Sequence, residues 1–273
     1  MMTTFVAQLV NEDKLHEAIT KKRRNDPKAC LKILDLCCGT GCISLLLAHL
    51  LKDSTSFEIL GHDISQEAVS LAKANLDRMS LKKFGLNKKV FFHTRDIFEP
   101  DHHLSLRYDI IISNPPYVSS RGFNKEVTRS VRNWEPKQAL VPPEELSQKW
   151  PDVALEDVFY RQLLEYRNCY VMILEVGSSL QAHRVIVMAL ELFGDTKFVE
   201  LWRDMPFPRK RQWSVLGRKI PTRGTGRGRA VVIYDCSWAG EYPEQIKALD
   251  SLDVLVNVHK PNHPSNKNES VIL

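Results

Sequence analysis

The chain has 273 residues, of which 43% are apolar and 26% charged, with a formal net charge of +5. That balance excludes a generally disordered chain and supplies a real core, read here as one domain with tails. The longest nearly apolar run, Cys42 to Leu51, is too short to cross a bilayer, so no membrane partner is expected.

Residues 1–29 are read as an N-terminal helical segment, with a helix near Val6–Lys22. Its acids Glu12, Asp13 and Glu17, and the absence of Arg before Arg23, do not look like a transit peptide or a secretory signal. From residue 30 to 236 apolar runs rich in Val, Ile and Phe alternate with amphipathic stretches of helical length. This is the pattern of an α/β domain with a mostly parallel sheet and helices on both faces. Seven strands are predicted, near Leu31–Leu36, Phe57–Gly61, Lys89–His93, Tyr108–Ser113, Tyr170–Glu175, Lys197–Leu201 and Arg229–Tyr234. Helices are predicted near Cys42–Lys52, Gln66–Met79, Leu155–Tyr166 and Leu180–Phe193, with Ser65 and Ser178 or Ser179 as caps.

Two stretches break the alternation. Between Val118 and Pro151 there is no period but four prolines, Pro136, Pro142, Pro143 and Pro151, which reads as a long functional loop. Asp204 to Gly228 carries three prolines and a Gly-Thr-Gly-Arg-Gly run, which reads as an extended hairpin or mobile arm. Arg203 to Arg229 holds nine Lys or Arg against the single acid Asp204, a charge suited to RNA or a ribosome-bound protein. Residues 237–273 are read as a C-terminal helix and a disordered tail. Cys30, Cys37, Cys38, Cys42, Cys169 and Cys236 form neither a disulfide framework nor a zinc-ligand spacing, so a reducing compartment and no metal are expected.

The chemistry sits where strands end. The first strand runs through Asp35-Leu36-Cys37-Cys38-Gly39-Thr40-Gly41 into a helix, the strand, glycine turn, helix context of a nucleotide-type site. Gly39 and Gly41 let the backbone approach a ligand, and N–H groups at the helix start face it. The second strand leads to Asp63, 22 residues after Gly41, where an acid can take both hydroxyls of a ribose. The third is followed by Asp96 and Ile97, an acid and an apolar side chain where an adenine can sit. The third glycine of a dinucleotide fingerprint is missing, and Asp35 suits a cofactor with a cationic amino acid end, such as S-adenosylmethionine.

The fourth strand ends in Asn114-Pro115-Pro116-Tyr117. Consecutive prolines hold Asn114 and Pro115 extended and remove two N–H donors, leaving a rigid turn that presents acceptors. The Asn114 side-chain oxygen and a proline carbonyl can each take one hydrogen of an NH2 group, while Tyr117 stacks on the flat group bearing it.

With these motifs the chain resembles the class I methyltransferases, and among them the HemK/PrmC family of protein glutamine methyltransferases, over about Phe5 to Asp235. Two further segments carry the likeness. Val131 to Leu140 resembles the family's Arg-x-x-Glu-Pro-x-x-Ala-Leu segment, through Arg132, Glu135, Pro136, Ala139 and Leu140, and Leu174-Glu175-Val176-Gly177 matches at the fifth strand. The resemblance implies a Rossmann-like sheet of seven strands with the last antiparallel. It also implies S-adenosylmethionine as cofactor, and methylation of the glutamine in the Gly-Gly-Gln motif of a peptide-chain release factor. Asp35, Gly39, Gly41, Asp63, Asp96, Ile97 and Asn114 would hold the cofactor. Asn114, Pro115 and Tyr117 would be catalytic, and Pro116, Arg132 and Glu135 would join them in binding the substrate. Read without the family, Arg132 and Glu135 are a surface ion pair ordering the loop.

The family's helical N-terminal domain and its Pro-Arg-x-Glu-Thr segment would precede Phe5, so residues 1–29 are expected to be the remnant of a lost or missing region. The family also implies a mitochondrial protein, with the cytoplasm as the alternative, and a monomer is expected. Two other functions fit the same residues: methylation of an exocyclic amino group on DNA or RNA, and a non-catalytic translation or assembly factor that keeps the fold.

Overall fold

The structure is a computed structural model that describes residues 30–52, 56–79, 89–99, 107–125, 127–235 and 255–256, of which 205–211 and 255–256 are described by their backbone alone. The expected helix at Val6–Lys22 and the tail 237–273, save Leu255 and Val256, lie outside the described residues. The chain divides into two compact units, Met1–Asn114 with Glu165–Ile173, and Pro115–Leu164 with Leu174–Leu273.

In the first unit the strands are β1 (Leu31–Leu36), β2 (Phe57–Asp63), β3 (Val90–Thr94), β4 (Tyr108–Ser113) and the start of β5 (Cys169–Glu175). Their order is β3-β2-β1-β4-β5, and β3, β2, β1 and β4 pair in parallel. Ile33, Leu34, Leu36, Ile59, Ile110 and Ile112 are buried, as near-continuous apolar strands in a covered parallel sheet must be. Helices α1 (Cys42–Leu51) and α2 (Gln66–Arg78) pack on β2 and β3. Ser65 caps α2 by accepting from the Ala68 amide at 3.1 Å, the first of the two expected caps.

The position that sequence reading passed over is Gly61. It pairs with Phe92 across β2 and β3, and a Cβ added there would lie 2.6 and 2.8 Å from the Phe92 ring and 3.1 Å from Cys38 Sγ. Gly61→Ala is therefore expected to lower stability by about 1–3 kcal/mol through overpacking. The check is the urea midpoint, with Phe92→Leu in the same chain recovering part of the loss.

The second unit holds two short helices, α3 (Ser120–Lys125) and α4 (Arg129–Trp134), then 3-10 turns at Lys137–Ala139, Glu144–Gln148 and Leu155–Asp157. It continues with α5 (Val158–Leu163), α6 (Ser179–Phe193), β6 (Lys197–Val215), β7 (Arg218–Asp235) and the two-residue β8 (Leu255–Val256). The loop read between Val118 and Pro151 thus contains helices of six residues, too short for a period to register. Its two feet are buried, Val118 and Val127 on one side and Leu140 and Val141 on the other, and the Val118 amide donates to the Leu140 carbonyl at 2.8 Å. The expected helix at Leu155–Tyr166 is shorter, with its first turn 3-10 and its α-helical part ending at Leu163.

Ser178 caps α6 by accepting from the Gln181 amide at 3.1 Å, and α6 packs on β6 and β7. The strands expected to stop at Leu201 and to start at Arg229 run on through the insertion as one antiparallel hairpin with several bulges. Beside it, Leu255 and Val256 pair in parallel with Gln212 and Trp213, where a disordered tail was expected; unpaired backbone groups of a strand edge accept such an addition.

Candidate active site

The register brings the chemistry of the first unit to one edge. Leu36 pairs with His62 and with Ser113, His62 pairs with His93 and Asp63 with Thr94, so the carboxyl ends of β1 to β4 finish side by side. Open parallel sheets bind their ligands at that edge. The turn after β1 is held from two sides. The Gly39 amide donates to Asp63 Oδ2 at 2.8 Å, and Asn75 Nδ2, from α2, donates to the Thr40 carbonyl at 3.1 Å. Gly41 starts α1 at φ +81°, with a Cβ position 2.8 Å from the Phe92 ring, so both its backbone and its space require glycine. Gly39 also has positive φ, but a Cβ there would meet nothing within 4 Å, which leaves open room beside the turn.

Asp63 uses both oxygens, since Oδ1 also accepts from the Ser65 amide at 2.9 Å. Each oxygen keeps lone-pair capacity for a further donor. Asp96 accepts from the Phe98 amide at 2.9 Å, and Ile97 beside it is buried. Asp35 is wholly enclosed. Its Oδ2 accepts from Ser44 Oγ at 2.6 Å, while its Oδ1 has no partner among the described residues. Burial raises its pKa from 3.8 to about 7, against the lowering pull of Ser44. Burial, and then Asp63, push the Cys37 thiol up as well, so it stays neutral.

Asn114 follows Ser113, whose Oγ donates to the Leu36 carbonyl at 2.8 Å, so its backbone starts from a fixed point next to the glycine turn. Its side chain is exposed. The next three residues belong to the second unit. Pro115, Pro116 and Tyr117 are buried, and Tyr117 donates its hydroxyl to Glu175 Oε1 at 3.3 Å. Gly177 lies against the Tyr117 ring, where a Cβ would come within 2.9 Å. Burial raises the pKa of Glu175, with the Tyr117 hydroxyl and Arg229 opposing, and burial raises that of Tyr117 too. The Tyr160 hydroxyl donates to the Glu175 carbonyl at 2.7 Å, so both tyrosines are tied to Glu175.

Arg132 does not pair with Glu135. Its guanidinium donates to the Asn124 carbonyl at 2.8 Å, binding α4 to the end of α3, which corrects the reading of these two as an ion pair. Both are exposed, α4 buries none of its residues, and Trp134 is 85% exposed. In the basic arm, Arg223 pairs with the buried Glu200 at 2.6 Å and Arg229 with Asp204 at 2.5 Å, so part of its charge is neutralised inside the hairpin. The side chains of Arg209, Lys210 and Arg211 lie outside what is described.

Sequence reasoning missed Ser44, Asn75, Tyr160 and Gln181. Ser44 had a signal, as a hydroxyl inside an otherwise apolar helix start, Ile43 to Leu47. The others act through tertiary contacts that no local pattern reveals.

A cofactor with a cationic amino acid end fits what is present: an enclosed acid with one unpartnered oxygen, open space at Gly39, and an acid at the end of β2. Residues 27–144 match the family model described as "Methyltransferase domain". The chain is 31% identical over 193 residues to the probable MRF1 mitochondrial N(5)-glutamine methyltransferase mtq1 of Schizosaccharomyces pombe, covering 68% of this chain and 60% of that protein. It is 36% identical over 114 residues to a release factor glutamine methyltransferase of Bacteroides thetaiotaomicron, covering 42% of this chain and 37% of that one. It is also 38% identical over 98 residues to a ribosomal protein uL3 glutamine methyltransferase of Bradyrhizobium diazoefficiens, covering 35% and 27%. The chain spans 60% or less of the length of these three relatives. Strand order, glycine turn and domain match together make this a class I methyltransferase domain. Within that class the chain is similar to glutamine methyltransferases named for release factors and for ribosomal protein uL3.

Proposed function

We propose that this chain methylates the side-chain amide of a glutamine in a peptide-chain release factor, within a Gly-Gly-Gln motif, using S-adenosylmethionine. The observation that carries the reading is Asn114-Pro115-Pro116-Tyr117 placed directly after the Ser113 to Leu36 pairing, with the Asn114 side chain exposed beside the glycine turn. Asp35, Gly39, Gly41, Asp63, Asp96 and Ile97 hold the cofactor. When bound, the cofactor supplies an activated methyl group on a sulfonium, so no metal and no covalent enzyme intermediate are required. Asn114 Oδ1 and the Pro115 carbonyl accept the two N–H bonds of the substrate amide. Tyr117, fixed by Glu175 and Gly177, limits where the amide plane can lie. Arg132 and Glu135, on exposed α4 and just after it, reach the substrate protein.

The mitochondrial relative supports a mitochondrial release factor as the substrate, and the Arg209 to Arg211 run is the part of the arm assigned to RNA or the ribosome. Mass spectrometry of Gly-Gly-Gln peptides from release factors, after incubation with the chain and cofactor, tests the reading. A gain of one methyl group on glutamine supports it; label entering only DNA, RNA or a uL3 peptide overturns it.

Asp63→Ala is expected to weaken cofactor binding at least tenfold, because a hydrogen bond to a charged acceptor contributes about 1.5–3 kcal/mol and the Gly39 anchor goes with it. Calorimetric titration measures this, and an unchanged Kd would remove Asp63 from the site.

A further inference from the structure

The mechanism above leaves one buried polar side chain of the second unit unused. Gln181, in the first turn of α6, is 3% exposed and makes four side-chain hydrogen bonds. Its Nε2 donates to the Tyr117 carbonyl at 3.1 Å, to the Glu156 carbonyl at 3.1 Å and to Asp157 Oδ1 at 2.9 Å, while its Oε1 accepts from the Gly177 amide at 2.9 Å. Two hydrogens shared among three acceptors leave no donor capacity over.

These partners have a common logic. Tyr117 is the last residue before the excursion that contains α3, α4 and the first two 3-10 turns, and Glu156 and Asp157, in the third, stand where that excursion returns to α5. Gly177 follows β5 and packs on the Tyr117 ring. Asp157 is 2% exposed and is gripped from its other side by Arg184, through Nε to Oδ2 and through Nη2 to Oδ1 at 3.0 Å. Arg184 also lies 3.5 Å from Glu156.

We infer that Gln181 is a positioning residue for the proposed transfer, one buried amide that clamps both ends of the 118–155 excursion to the end of β5 and thereby fixes the Asn-Pro-Pro-Tyr turn. The inference rests on the reading above for its catalytic consequence, though the clamp itself does not. Gln181 touches no reacting atom. Its effect reaches the substrate amide through the Tyr117 peptide, whose displacement would carry the Pro115 carbonyl and the Tyr117 ring with it.

The test uses the full chain with Gln181→Met, which keeps bulk and removes the polar atoms, and Gln181→Glu, which keeps the shape but turns a carboxylate toward three acceptors. Five quantities are read: the thermal midpoint, the S-adenosylmethionine Kd, the rate of tryptic cleavage at Arg121, Lys125, Arg129, Arg132 and Lys137, and kcat and KM on a Gly-Gly-Gln peptide. Both variants are expected to be cleaved faster within the excursion and to lose roughly tenfold in kcat, with the cofactor Kd within about twofold of wild type. Asp157→Asn added to Gln181→Glu restores a donor facing the new carboxylate and is expected to recover part of kcat. Wild-type kcat in both variants overturns the inference. So does a loss of kcat that follows cofactor binding and thermal midpoint in proportion, since that is loss of fold. Faster cleavage in variants of a chain that methylates no release-factor peptide leaves the clamp standing and overturns the release-factor reading instead.

Discussion

Asn114→Ala is expected to lower kcat by about 10²–10³ and to leave the cofactor Kd and the thermal midpoint nearly unchanged. An amide nitrogen is a poor nucleophile because its lone pair is delocalised into the carbonyl, so holding it matters more than removing its proton. Two acceptors on the two N–H bonds turn the lone-pair face toward the methyl group. As positive charge grows on the nitrogen, both bonds strengthen, which places the gain in the transition state and hence in turnover. Stability should hardly move, because the Asn114 side chain is exposed while the turn is anchored elsewhere, by Ser113 Oγ on the Leu36 carbonyl. Asn114→Asp keeps an acceptor and adds a charge, which separates the need for an oxygen from the need for a neutral one. Single-turnover methyl transfer to a Gly-Gly-Gln substrate is the measurement, and a wild-type rate for Asn114→Ala would make the tetrapeptide scaffolding.

The second large effect is a pH dependence centred on Asp35. Its folded-state pKa lies near 7 against 3.8 for the free group, so the folded chain binds this proton more tightly than the unfolded one. The stability from this source is fully present below about pH 4, declines as pH rises, and is lost through pH 7, a total of roughly 4 kcal/mol. Wild type should therefore lose on the order of 10 °C in thermal midpoint between pH 5 and pH 8 relative to Asp35→Asn, which cannot ionise. The cofactor changes the sign of the benefit. A cation brought to the unpartnered Oδ1 favours the charged carboxylate, so binding at pH 7 should release a proton, seen as a heat that varies with buffer ionisation. Asp35→Asn should release none and should bind at least tenfold more weakly. Parallel midpoint curves for the two proteins, or binding heats independent of buffer in wild type, would remove Asp35 from this role.

The alternating sheet, the glycine turn and the strand-end tetrapeptide were legible because each is local. Strand Tyr108–Ser113 is all apolar but for Asp109 and Ser113, and Pro115 and Pro116 end it by backbone geometry alone. Capping at Ser65 and Ser178 was readable for the same reason. What sequence could not give was anything set by partners far along the chain. Gly61 looks like a strand-weakening residue until Phe92 is seen leaning over it. Arg132 and Glu135 are three apart on a short helix end, the spacing of an ion pair, yet the carbonyl of Asn124 offers Arg132 a nearer acceptor. The basic arm reads as free charge only while Glu200, 23 residues before Arg223, is out of view.

The clamp at Gln181 has a consequence for how such a domain changes over evolutionary time. Because entry and exit of the excursion are held by the same amide, changes in the length of the chain between them are expected to leave β1 to β4 and the Asn-Pro-Pro-Tyr turn in place. Closing a loop costs entropy that grows only with the logarithm of its length, about 0.6 kcal/mol for each doubling. Insertions between Val127 and Leu140 should thus be nearly free in stability while altering which protein surface the exposed α4 and Trp134 can meet. On the proposed function, substrate range would then follow the insert while the frame stays fixed.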